Sequence, residues 1–113
     1  MPRRKDSVHQ KQVNAWVKYL KKEFPLDRRC EVWVLPKGAV KLECGTVVRG
    51  VHYVTASEKT HMIELEHAND FHPVFDTLIW EWARARVWPY RGVGSVLALE
   101  VGRITRACLY QTP

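Results

Sequence analysis

Apolar positions along this chain change their period twice. Val13, Trp16, Val17, Leu20 and Phe24 fall at i, i+3, i+4, i+7 and i+11, a single stripe at helical spacing. Lys11, Lys18, Lys21 and Lys22 take the other faces. The pattern predicts a first helix, capped by Asp6 or Ser7 and running to about Phe24. Pro25 ends it, because proline cannot continue a helix interior.

The middle of the chain alternates instead. "CEVWVLP", "VKLEC", "TVVRGVHYVTA" and "THMIELEH" are β-branched and aromatic runs, separated by turns at Lys37-Gly38, Gly45 and the polar "SEKT". Three or four strands in a mainly antiparallel meander are expected. Gly50, inside the longest run, is expected to mark a bulge or a strand break.

Helical spacing then returns. Phe75, Leu78, Ile79, Trp82 and Ala83 form a second stripe, with Pro73 suited to the first helical position, His72 at or beside the cap and Asp76 in the first turn. "WPYRGVGS" interrupts it. A last helix begins near Ser95, with Val96, Leu97, Val101, Ile104 and Cys108 on its apolar side and Arg103 and Arg106 outward. The order of elements predicts an α+β fold: an N-terminal helix, a small three- to four-stranded sheet, then two C-terminal helices.

At 113 residues the chain makes one domain (1–113), with residues 1–7 a basic and flexible N-terminus. No apolar run reaches the length of a membrane span, and no apolar segment follows the basic start, so neither a membrane anchor nor a secretory signal is expected. Cys30, Cys44 and Cys108 are odd in number and widely spaced, which supports neither a disulfide framework nor a zinc knuckle and suits a reducing cytoplasm.

The net charge of +6 comes from residues 1–29, which hold nine Lys/Arg against three Asp/Glu, while the remainder is neutral. That segment is expected to be the solvated face of a helix; a nucleic-acid contact, with Trp33, Tyr53 and Trp88 as stacking residues, is the alternative.

The second helix carries the chemistry. An HExxH helix binds zinc because residues i and i+4 share a face, and its glutamate reaches a metal-bound water. Here the string is Trp80-Glu81-Trp82-Ala83-Arg84, and only the glutamate is present. "FDTLIWEWARARVWP" resembles the "DTLIHEWAH" helix of the SprT-like zinc metallopeptidases and their small phage-encoded relatives. Asp76, Thr77, Leu78, Ile79, Glu81, Trp82 and Ala83 match as they stand, and "GRITRA" (102–107) resembles that family's "GRIYRA". The element order fits as well. The resemblance implies a minimal zincin-like fold.

It carries over no metal site. Trp80 offers no lone pair, Arg84 is a fixed cation, and Val93 stands near the place of the family's third histidine. The expectation is a relative without zinc, other cofactor or peptidase activity.

Three readings of this helix stay open. Glu81 and Arg84, at i and i+3, form an ordinary helix-surface ion pair. Or the cleft persists without its metal, filled by Trp80 and the Arg84–Glu81 pair, and serves binding or structural assembly. Or the pocket has been remade, by evolution or engineering, for a small apolar ligand lined by Trp80, Trp82, Arg84, Val93, Leu97 and Val101, with Glu81 as a metal-free general base. His67 and His72 are weighed as replacement ligands and read as ordinary surface or capping histidines. His9, His52 and His61 carry no ligand signature.

Overall fold

The computed structural model describes residues 8–57, 59–89 and 94–111. The expected caps at Asp6 and Ser7, and the basic stretch 1–7, lie outside the described residues. Helix α1 spans Val8–Glu23, strands β1, β2 and β3 span Cys30–Leu35, Gly50–Val54 and His61–Glu66, and helices α2 and α3 span Phe71–Val87 and Ser95–Cys108. This is the α+β order that the pattern predicts.

The stripe of α1 packs as read. Val13, Val17, Leu20 and Phe24 are buried, and each fully buried aliphatic side chain of this kind contributes about 1.5–3 kcal/mol. Lys11, Lys18, Lys21 and Lys22 are all exposed, a solvated face.

The strand order is β1-β3-β2, with β1 parallel to β3 and β2 antiparallel to it, so the sheet is mixed and no meander forms. A parallel pair needs a long connection, and the segment expected to be a strand at "VKLEC" belongs to that connection. It contributes one isolated bridge, Lys41 to Val47, and a buried Val40.

One face of the sheet carries Cys30, Val32, Ile63 and Leu65 into the core with α1 and α2. Glu64 and Tyr53 share the other face, the Tyr53 hydroxyl donating to Glu64 Oε2 at 3.1 Å. Trp33 Nε1 donates to Glu31 Oε1 at 3.1 Å.

Helix α2 begins at Phe71, two residues before the expected start, with Asp70 as its cap residue. Pro73 is therefore the third helical residue. It is tolerated there because the first N–H groups of a helix have no intrahelical acceptor to lose. Asp76 falls beyond the first turn. Leu78, Ile79, Trp82 and Ala83 are buried as expected, and Phe75 packs at the margin of the core.

Helix α3 starts at Ser95 as expected. Leu97, Ile104 and Cys108 are buried and Val101 packs against them, whereas Val96 is exposed. Among the named elements α3 packs on α2 alone. Glu100 reinforces that contact. It is buried, and both Arg86 and Arg103 donate to its carboxylate, while Arg86 also donates to the Pro25 carbonyl at 2.6 Å. None of the helices described is long and apolar enough to cross a membrane.

Candidate functional site

Residues 80, 81 and 84 share one face of α2, and that face opens on a cleft of about 470 Å³. Trp80, Glu81 and Arg84 line it from the helix, with Thr77 one turn back and Pro73 two turns back. Arg49 and Gly50, at the start of β2, form the opposite wall. The narrowness is a property of Gly50. A Cβ there would lie 2.3 Å from Thr77 Cγ2 and 3.2 Å from Glu81 Cγ, so the strand approaches the helix this closely because the side chain is missing. Of the bulge or strand break expected at Gly50, the structure has the break: β2 begins at this residue, Val47 before it makes only an isolated bridge, and the close helix–strand approach is the reason a glycine stands there.

Glu81 is buried, at 6 % exposure. Burial pushes its carboxyl above the ordinary carboxylate range, and the Arg84 guanidinium opposes that rise. The two are paired, Arg84 Nε lying 3.4 Å from Glu81 Oε1, with the arginine reaching into solvent. So the acid is neither a plain surface group nor a free base: it is a desolvated carboxylate with a half-exposed counter-charge. The remaining walls are polar. His72 and Asp76 sit at one end, 3.4 Å apart as an i,i+4 pair.

The other predicted site residues lie elsewhere. Trp82 is fully buried in the core, its indole N–H donating to the Phe24 carbonyl at 3.0 Å, so the cleft has one tryptophan wall and not two. Leu97 and Val101 belong to the core between α2 and α3 and do not line the cleft. Helix spacing alone does not show which way α3 turns its apolar side. Val93 lies outside the described residues. With Arg49, His72, Asp76, Glu81 and Arg84 around it, the cleft is more charged than a pocket for a purely apolar ligand.

His67 is not at the cleft. Its ring lies 5.0 Å from that of His9, which hydrogen-bonds to the Ala68 carbonyl at 2.8 Å. Among the described residues no three of His, Cys, Asp and Glu come together in a way that could hold an ion.

A second cluster was not legible. Asp27 Oδ1 lies 2.6 Å from His61 Nε2, and His61 Nδ1 lies 2.8 Å from His52 Nε2. These residues come from three separate segments, and only the pairing of β2 with β3 brings the histidines together. The alternation that turns His52 and His61 to one sheet face was the available signal, but it needs the strand register to be read.

Compared with protein-family models, with curated proteins and with solved structures, the chain matches none.

Proposed function

We propose that this chain is a metal-site-deficient relative of the SprT-like zinc metallopeptidases, without peptidase activity, whose former active-site cleft serves binding or structural assembly. One observation carries the reading: the residues at the HExxH positions, Trp80, Glu81 and Arg84, line a single cleft, and Arg84 places a counter-charge on the buried acid. A metal ion would otherwise balance that charge, and a buried carboxylate with no partner is costly. The ligand that suits these walls lays a flat face on Trp80 and brings an acidic group to Arg49 and Arg84. The three free thiols, two of them buried and apart, support a cytoplasmic location.

Restoration tests this. Trp80→His with Arg84→His, combined with a histidine scanned through Val93 to Val96, is expected to yield a variant that retains one Zn²⁺ per chain, while the parent retains none. The reading is overturned if the parent itself holds a tightly bound Zn²⁺, or if no folded variant in the series binds metal.

The burial of Glu81 favours a second reading, a metal-free general base acting on a bound carbon acid or water. Any turnover found should then be abolished in Glu81→Gln; undiminished turnover in that variant removes the idea.

A further inference from the structure

The chain's excess positive charge lies beside a second groove. A hollow of about 710 Å³ separates α1 from the edge strand β1, with Gln10, Asn14 and Lys21 on the helix wall and Arg29, Glu31 and Trp33 on the other. On a helical wheel Lys11, Lys18, Lys21 and Lys22 fall within an arc of about 100°, next to the Gln10–Asn14 column of that wall. Glu23, the one acid of α1, falls on the far side of the helix. All four lysines are exposed, and none makes an ion pair with a described residue. Lys18 stands at i,i+3 and i,i+4 from Lys21 and Lys22, like-charge spacings that oppose a helix. The fold itself does not balance this charge.

The groove narrows the choice of partner. It is closed to an added strand, because the Gln10 side chain already takes the Val32 carbonyl at 3.1 Å and the Val34 N–H at 2.7 Å. It does not suit a membrane surface, since none of the large exposed apolar side chains described lies on α1 or in the groove. The acid on its wall, Glu31, is engaged by the Trp33 indole at 3.1 Å and by Arg29 at 4.0 Å. What fits is a polar polyanion, and Trp33 adds an aromatic ring to the lining. Of the other aromatic residues considered for stacking, Trp88 lies under Arg28 at 4.7 Å, and Tyr53 belongs to β2 at the opposite edge of the sheet.

We propose that the α1–β1 groove binds single-stranded nucleic acid, its phosphates running along Lys11, Lys18, Lys21 and Lys22 while one base stacks on Trp33. From Lys11 to Lys22 the lysine row spans about 16 Å at the rise of a helix, a length over which several phosphates pass. A positive groove with an aromatic ring takes a strand whose bases are unstacked, whereas a duplex keeps its base faces covered. The site is separate from the α2 cleft and does not depend on reading that cleft as a former metal site.

The test is fluorescence anisotropy of a labelled oligo-dT of about 12 nucleotides with the full chain. Four phosphate contacts predict an affinity that falls about 50-fold or more between roughly 50 and 200 mM salt. Lys11→Gln with Lys18→Gln and Lys22→Gln, all at exposed positions, should keep the fold and reduce the log–log salt slope by about 2. Trp33→Leu should weaken binding about tenfold at every salt concentration and leave the slope alone. The proposal is overturned if oligo-dT does not bind at the lower salt, or if a polyglutamate or a duplex of matched length binds as tightly. It is equally overturned if the triple variant keeps the parent's slope while Arg3→Gln, Arg4→Gln and Lys5→Gln together abolish binding, which would place the contact on the N-terminal residues instead.

Discussion

A methyl group on Gly50 would lie 2.3 Å from Thr77 Cγ2, closer than real Cβ atoms approach anything. Gly50→Ala is therefore expected to destabilise the fold by about 1–3 kcal/mol, the usual cost of overpacking. Thr77→Ser removes the clashing methyl and keeps the hydroxyl that donates to the Pro73 carbonyl at 2.9 Å. In a urea-denaturation double-mutant cycle the pair should recover most of the loss; additive losses would show that the strand does not rest on Thr77. Glu81 makes a prediction with a sign. Its carboxyl is raised by burial in the folded state, so the stability linked to it is present at low pH and lost as pH rises through the folded value. Glu81→Gln escapes that loss, and its stability relative to the parent should improve steadily from about pH 4 to pH 7. A relative decline toward pH 7 would mean that the Arg84 pairing outweighs desolvation.

At the level of elements, the helices were legible because their stripes are set by residues three and four apart. Val13, Val17 and Leu20 in α1 and Leu78, Ile79 and Trp82 in α2 went where their spacing put them. The common face of Trp80, Glu81 and Arg84 was legible for the same reason. The facing wall at Arg49 and Gly50, the parallel pairing of β1 with β3 and the Asp27–His61–His52 cluster were not, since each depends on contacts between distant segments. Another such contact protects the edge of β1. The buried Gln10 side chain of α1 donates to the Val32 carbonyl at 3.1 Å and accepts from the Val34 N–H at 2.7 Å, taking the place of a neighbouring strand. Gln10→Ala strands both groups and should cost about 1–3 kcal/mol. It also uncovers a strand edge, so the variant should aggregate sooner than the parent in light scattering at matched unfolded fraction.

Across the whole molecule, the packing ties α3 least. It touches α2 alone among the elements, and the Glu100 carboxylate between Arg86 and Arg103 is its main polar anchor. The cysteines report on this. Cys44 is exposed, and its thiol is drawn below the ordinary value, chiefly by Thr46, so it should react at once with a thiol reagent. Cys30 and Cys108 are buried, and burial pushes their thiols up to about 12 and about 11 respectively, so both stay inert until the surrounding structure opens. Cys30 sits in a strand bonded into the sheet and covered by α1, and its opening requires the core to part. Cys108 ends a helix held from one side, and opens when that helix detaches. Native-state labelling of a Cys44→Ser protein should therefore modify Cys108 well before Cys30. Glu100→Ala should speed the first reaction by about 30-fold or more, the effect of losing hydrogen bonds to a charged group, and leave the second nearly unchanged. If both cysteines react at one rate, and Glu100→Ala accelerates them together, α3 and the sheet unfold as a single unit.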